Sequence, residues 1–442
     1  MFKKHIQRKL ERYAHRYLKK RKLKLVVVVG AVGKTTTKSA IATVLSTKFR
    51  TGASHGNLND QLSVPFGILG VKYPPFSLLR KISTWRKVFK VIRQRIHAKI
   101  DVDVVVSELA TDRPGEIIHY RKYLKPDIAV VTAVAPEHME NFPGGIDDVA
   151  REELAVASYS NLTIVNHDDV DMRFAQFAET TNITTYGLTG GEYRFEILDG
   201  APLKGYNVKF IGPEFPGGVA STVHLVGEHI LKSALAAAVV ATKLGMSQEE
   251  IAAALPQIRP VPGRMNPLRG VRGITIIDDT YNSNPDAAIA ALRTLYLIDA
   301  PQRVAILGSM NELGQNSAAY HQQVGAQCDP NWLDWVITIG QEAEQHLAPA
   351  AKANGCQVAT FSNPISAGTF ANKVLESGGL VLVKGSQNGV FAEEAVKILL
   401  HNSSVEDDHL VRQDPEWMDQ KNAWISSQQK TELEIRNQNQ NI

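Results

Sequence analysis

The 442 residues, 44% hydrophobic and 21% charged, suffice for two or three domains with separate cores and contain no apolar run of bilayer-spanning length. Only two cysteines, Cys328 and Cys356, exclude a disulfide framework and a cysteine-built zinc site; no apolar signal-type segment follows the basic N-terminus, so the expected compartment is the cytoplasm. The net charge of +4 is unevenly spread: residues 1–24 hold eleven Lys/Arg against Glu11 alone, and Ser77–Ile100 holds eight with no acid.

Phe2, Ile6, Leu10, Tyr13, Tyr17 and Leu18 recur at helical spacing among the first cations, which predicts an amphipathic helix over 2–22. Its apolar stripe has two possible uses: contact with an anionic membrane surface or phosphate-bearing substrate, or packing on its own domain. Leu25–Val29 reads as a buried parallel strand, followed by Gly30-Ala31-Val32-Gly33-Lys34-Thr35-Thr36 and a helix over Thr35–Phe49. In that arrangement Gly30 and Gly33 let backbone N–H groups approach a polyphosphate, Lys34 reaches its outer phosphates, and the Thr35 hydroxyl suits Mg²⁺. The longer phosphate-loop pattern has glycine where this chain has Val28, and an ordinary glycine turn is the competing reading.

The polar loop His55–Pro65 follows, where Asn57 and Asn59 offer donors and acceptors to a substrate or simply build a turn. Ser77–Ile100 repeats the basic amphipathic design. Val102–Val106 is a second strand, and Glu108 at its end stands where a nucleotide-bound Mg²⁺ needs an oxygen. Ile128–Val134 is a third, running to His138 on the same rim, as a structural histidine or a ligand. A helix over Asp147–Ser160, a strand over Leu162–Val165 and a small antiparallel section within 186–226 come next. Gly227-Glu228-His229 opens an alanine-rich helix, Ile230–Leu244, and Pro260, Pro262 and Gly263 mark a domain boundary.

Beyond it, strands at Ile274–Ile277, Val304–Leu307, Trp335–Ile339 and Leu380–Val383 alternate with helices, a second parallel α/β domain. Its strands run into the polar loops Asp278–Pro285, Met310–Gly314 and Lys384-Gly385-Ser386, where open sheets place ligands. The expected organisation is a basic helix (1–24), a phosphate-loop domain with a parallel sheet (25–260), a second parallel α/β domain (261–402) and a polar tail (403–442), disordered at its extreme end.

Taken together, Gly30–Thr36, Asn57–Pro65, Glu108 with Arg113-Pro114-Gly115-Glu116, His138, Gly227/His229, Gly263-Arg264, Asp278–Pro285, Leu307–Gly314 and Lys384-Gly385-Ser386 resemble the Mur ligase family. These are the ATP-dependent amino-acid and peptide ligases of cell-wall precursor synthesis. The resemblance is nearest to the members that add D-alanyl-D-alanine to UDP-N-acetylmuramoyl-tripeptide, and runs from about Leu25 to Leu400. It implies ATP and Mg²⁺ as cofactors, small-molecule substrates, a monomer without nucleic acid, and a central P-loop ATPase domain with a parallel sheet (25–260) and a Rossmann-like α/β C-terminal domain (261–402) that close over ATP to form an acyl phosphate that an amine then takes.

By resemblance, Lys34 holds the β- and γ-phosphates; Gly30, Gly33 and Thr36 complete the phosphate loop; and Thr35, Glu108 and His138 bind Mg²⁺. Arg264 contacts phosphate, while His229, Asp279, Tyr281, Asn282 and Asn284 form the nucleotide and interdomain surface. Asn57, Asn59, Glu312, Lys384 and Ser386 serve the substrates. Three departures stand out. The family's carbamoylated lysine, counted from His138, falls on Glu153, so Glu153 or its neighbour Glu152 is expected to supply the anionic oxygens. Ile230 and Ser233 stand where adenine-side asparagines are usual. The phosphate loop begins near residue 30, where the family has a further, uridine-nucleotide-binding domain ahead of it; hence either another surface or subunit binds the UDP-sugar, or the acceptor differs, a lipid-linked or other anionic one included. A catalytically weak ATP-binding regulatory subunit is the reading from another class.

Overall fold

The computed structural model describes residues 2–54, 56, 58–99, 101–180, 182–402 and 409–440, with side chains through 428. The chain divides into two compact units, Met1–Arg259 and Pro260–Ile442. No helix among the described residues is long and apolar enough to cross a membrane.

The first unit is built on β1 (Lys24–Val29), β2 (Thr51–Ala53), β3 (Val104–Glu108), β4 (Ile128–Val131), β5 (Leu162–Asn166), β6 (Ile183–Gly187), β7 (Tyr193–Ala201), β8 (Gly205–Gly212) and β9 (Phe215–Val223). They form one sheet in the order β2-β3-β1-β4-β5-β6-β7-β8-β9. The strands through β6 pair in parallel, and β7, β8 and β9 close the sheet as an antiparallel meander, as the Gly- and Pro-rich 186–226 stretch leads one to expect. In the centre, Val28 pairs with Glu108 and Val29 with Val131, so the turn leaving β1 emerges between the ends of β3 and β4.

The helices of this unit are α1 (Phe2–Arg21), α2 (Lys34–Ser46), α3 (Val64–Leu69), α4 (Ile82–His97), α5 (Glu116–Tyr120), α6 (Ile146–Leu154), α7 (Glu228–Lys243) and α8 (Gln248–Ala254). Side chains alternate across a strand, so β1 serves two cores: Val26 and Val28 face α2, α7 and α8, while Leu25, Val27 and Val29 face α1 and α3 to α6. That requirement explains an unbroken apolar strand.

The structure decides between the two uses of the N-terminal stripe. Ile6, Leu10, Ala14 and Tyr17 are buried in the second of these cores, beside Trp85, Phe89, Ile92 and Ile96 of α4. Burying each large aliphatic there contributes about 1.5–3 kcal/mol, so both stripes belong to the fold, and the basic faces are left outward with Phe2, Ile82 and Val91 exposed among them. Leu10→Ala is therefore expected to cost about 2–5 kcal/mol, measurable as a lower urea midpoint; an unpacked helix would leave the midpoint unchanged.

In the second unit, β10 (Asn266–Arg269), β11 (Thr275–Asp279), β12 (Arg303–Gly308), β13 (Trp335–Ile339), β14 (Val358–Phe361) and β15 (Leu380–Lys384) form a sheet in the order β10-β11-β15-β12-β13-β14. All pair in parallel except β10, which runs antiparallel to β11. β10 and β14 escape the sequence reading because both are four-residue edge strands and neither has the fully apolar pattern of a central strand. Helices α9 (Pro285–Tyr296), α10 (Ser317–Gly325), α11 (Ala348–Ala353), α12 (Pro364–Val374) and α13 (Glu393–Leu399) complete it.

A last helix, α14 (Pro415–Gln440), runs through the region where the polar composition suggests disorder. Its attachment is electrostatic and aromatic. Lys421 is fully buried, with Nζ 2.5 Å from Glu394 Oε1 and 3.1 Å from Glu393 Oε1, and Trp417 and Trp424 pack edge-on against Phe391. Two carboxylates buried on α13 need cations, and the tail supplies them.

Candidate active site

In the first unit the turn after β1 is held by close backbone approach. Gly30 has φ +124°, and a Cβ there would lie 2.3 Å from Thr132 Oγ1 and 2.8 Å from the Ala133 amide nitrogen, so no larger residue fits. Gly33, at φ 85°, caps α2, whose N-terminal N–H groups open at the loop. Lys34 folds back, its Nζ donating to the carbonyls of Gly30 at 2.6 Å and Ala31 at 3.3 Å, and pairing with Glu137 Oε2 at 3.4 Å. Thr35 is half-buried at the mouth, whereas the Thr36 side chain is buried, leaving its backbone to act.

Glu108 ends β3 fully buried. Its Oε1 accepts from Asn59 Nδ2 at 3.0 Å; its Oε2 lies 3.3 Å from Lys38 Nζ and has no hydrogen-bond partner among the described residues. Asn59 thus orients this carboxylate, and Asn57 lies outside the described residues. Lys38, absent from the sequence reading, is also buried, donating to the Gly56 carbonyl at 2.6 Å and Ser54 Oγ at 3.3 Å. Its only signal was a second lysine one helical turn after Lys34.

His138 adopts the left-handed region at φ 51°, its Nε2 3.3 Å from Asp112 Oδ1 and 4.0 Å from Glu137 Oε1. Among the described residues no three His, Cys, Asp or Glu side chains converge as a ready metal cage.

The structure separates the two α6 glutamates. Glu152 accepts from the Gly115 and Ile117 amides, each at 2.6 Å, and so anchors the start of α5. Glu153, only 2% exposed, accepts the Gly30 amide at 2.8 Å and faces the phosphate loop. Burial pushes its carboxyl up to about 7; Lys34 opposes the shift and Glu137 reinforces it. On α7, His229 lies half-buried in the first turn, and Ser233 Oγ accepts from Thr37 Oγ1 at 3.0 Å, fixing α2 to α7.

In the second unit two consecutive aspartates organise the polar loops. Asp278 is fully buried, accepting the Gly263 amide at 2.9 Å and Thr280 Oγ1 at 2.6 Å, and burial raises its carboxyl to about 6. Asp279 accepts the Met265 amide at 3.1 Å and pairs with Lys384 Nζ at 2.6 Å. The flanking amides of Arg264 are thereby pinned. Its guanidinium sits 4.0 Å over the Tyr281 ring, with Nε buried and without a hydrogen-bond partner among the described residues.

Several residues expected at ligands are engaged with protein groups. Lys384 is 2% exposed and also donates to the Asn282 carbonyl at 3.0 Å; Ser386, fully buried, donates to the Ser283 carbonyl at 3.3 Å and accepts the Asn311 amide at 3.0 Å. Asn284 caps α9 by accepting the Ala287 amide at 2.9 Å. Tyr281, Asn282 and Glu312, which has φ 67°, remain half-buried at the loop surfaces. Arg412, which sequence reasoning left in the tail, donates to the carbonyls of Thr280 at 2.7 Å and Tyr281 at 3.0 Å and pairs with Glu393 at 2.7 Å.

With this geometry in view, the relatives are informative. Residues 28–241 match the Mur ligase middle domain and 263–387 the Mur ligase glutamate ligase domain. The chain is 28% identical over 327 residues to the UDP-N-acetylmuramoyl-tripeptide--D-alanyl-D-alanine ligase of Haemophilus influenzae, covering 72% of this chain and 64% of that one. It is 26% identical over 387 residues to the enzyme of the same name from Escherichia coli, covering 86% and 78%. Its fold superposes on MurF from Acinetobacter baumannii with a TM-score of 0.73 at 25% identity, covering 88% of this chain and 79% of that one. Both family domains, in order and spanning the loops just described, show that the chain belongs to the Mur ligase family.

Proposed function

We propose that the chain is an ATP-dependent, ADP-forming peptide ligase that adds D-alanyl-D-alanine to a UDP-N-acetylmuramoyl-tripeptide, acting as a cytoplasmic monomer. The observation that carries this reading is a phosphate loop with Lys34 at its mouth and two buried carboxylates, Glu108 and Glu153, on flanking elements of a Mur ligase chain. In the first step the tripeptide carboxylate attacks the γ-phosphorus, the bond to the β–γ bridging oxygen breaks, and ADP leaves. In the second, the dipeptide amine attacks the acyl-phosphate carbon, loses a proton, and inorganic phosphate leaves. Neither step needs a protein nucleophile; the protein positions the reactants and offsets their charge.

Lys34 exchanges the Gly30 and Ala31 carbonyls for the β- and γ-phosphates, and the loop amides at the α2 N-terminus hold the rest. Glu108 Oε2, ion-paired with Lys38 Nζ at 3.3 Å and accepting no hydrogen bond among the described residues, fits a divalent cation: with Thr35 and His138 the carboxylate would hold Mg²⁺, whose charge offsets that of the polyphosphate. Glu153, fixed by the Gly30 amide, takes the place of the family's carbamoyl-lysine as an anionic anchor behind the loop. In the second unit Arg264 is the cation for phosphate, its loop braced by Asp279; Tyr281 and Asn282 serve the nucleotide and Glu312 the amino component.

The test is phosphate release from ATP and Mg²⁺ with UDP-N-acetylmuramoyl-tripeptide and D-alanyl-D-alanine, the product followed by mass. One amide per phosphate is expected, and Lys34→Met should lower the rate about 10²–10³-fold. ATP binding without amide formation on these substrates would overturn the assignment.

A further inference from the structure

The phosphate chemistry uses one edge of the first unit and leaves the outer faces of α1 and α4 unused. α1 carries nine Lys/Arg and one acid, α4 five and none. That acid, Glu11, is buried and bound by His119 Nε2 at 2.8 Å, so it does not offset the outer surface. Tyr13 packs on Phe89, the Arg95 guanidinium lies over Tyr17, and Lys20 meets His97; these pairings set the helices side by side and parallel. Their N-terminal ends therefore lie together. Phe2 at one is 47% exposed and Ile82 at the other 60%, and Val91 is 47% exposed on the outer face of α4.

Arg8, Arg12, His15 and Lys122 line a cavity of about 240 Å³ on the flank of α1 that meets the chain after α5, with Glu11 and Tyr123 in its wall. The cavity is large enough for a phosphate group, and its lining sets two guanidinium groups and the Lys122 side chain against the single Glu11 carboxylate. Cations alone would suit any polyanion. Exposed aromatic and branched aliphatic side chains among them suit a surface that is anionic outside and apolar a few ångströms deeper, which describes a phospholipid bilayer and no nucleic-acid backbone.

We propose that the α1/α4 face docks the protein onto anionic phospholipid, with a headgroup phosphate in the Arg8/Arg12/Lys122 cavity and Phe2 and Ile82 entering the interface. The packed stripes stay in the core, so docking needs no unfolding of α1. It does not depend on which acceptor the ligase uses.

The full chain should co-sediment with vesicles containing phosphatidylglycerol and not with phosphatidylcholine vesicles, and should come off at about 0.5 M salt, where charges are screened within a few ångströms. Lys3→Gln, Lys4→Gln and Arg8→Gln together should lower partitioning about a hundredfold, since each cation near such a surface is worth several-fold. Phe2→Ser with Ile82→Ser should weaken vesicle binding and leave ATP turnover in solution unchanged. Equal binding to both vesicle types, or binding to duplex DNA without binding to phosphatidylglycerol, would overturn the proposal. So would vesicle binding insensitive to both sets of substitutions in variants whose circular dichroism matches the parent.

Discussion

Glu153→Gln is expected to make the protein more stable at pH 8 while disabling it. The Glu153 carboxyl is pushed up to about 7 by burial, whereas in the unfolded chain it ionises in the ordinary glutamate range. Between those values the folded protein holds a proton that the unfolded chain has lost, so native stability falls as pH rises across the window and stays reduced above it. The difference corresponds to about 3 kcal/mol. Glutamine cannot ionise, and its amide oxygen can still accept the Gly30 N–H. The substituted protein should therefore match the parent near pH 4 and exceed it by that amount at pH 8, read from urea midpoints at both. If Glu153 is the anionic anchor behind the phosphate loop, ligase turnover should fall about 10²–10³-fold in the same variant. Full turnover would remove Glu153 from the site, and equal midpoints at pH 8 would show that its charge is not buried.

Lys384→Met is expected to destabilise the second unit by about 3–5 kcal/mol. The substitution strands Asp279, 6% exposed, next to the fully buried Asp278, with no cation in place of Nζ at 2.6 Å. The loss should be smaller in the double variant with Asp279→Asn, because an uncharged pair no longer leaves a buried charge uncompensated. Denaturant titration of the four-member cycle measures this. Were Lys384 instead a substrate contact alone, KM would rise with the urea midpoint unchanged.

The contrast between these two carboxylates traces what could be read in advance. Glu153 was reachable by counting the family's spacing on from His138, across the turn that precedes α6; that it, rather than Glu152, meets the phosphate loop was not. Adjacent helical residues point about 100° apart, and only packing shows that one meets the Gly30 amide and the other the start of α5. Lys384 was legible as a polar residue at a strand end, but whether such a residue meets ligand or protein depends on the strand beside it. β11 and β15 are neighbours in the sheet though about a hundred residues apart in sequence, and their register sets Asp279 opposite Lys384. Asn284 and Ser386 were legible only as polar loop residues for the same reason, their partners being supplied by backbone that composition does not reveal. Lys38, Arg412 and Lys421 were missed because a lysine or arginine reads as solvated until a buried carboxylate is found beside it.

By itself the sequence determined the phosphate loop, the strands that carry it, the two α/β sheets and the family, because β-branched runs, glycine turns and helical spacing act through neighbours along the chain. The tertiary structure alone decided that the N-terminal stripe is core, that the tail is docked, and which polar side chains face the loops and which brace them. Those outcomes depend on side chains far apart in sequence sharing one buried volume, where an unpaired charge or an uncovered apolar face costs several kcal/mol.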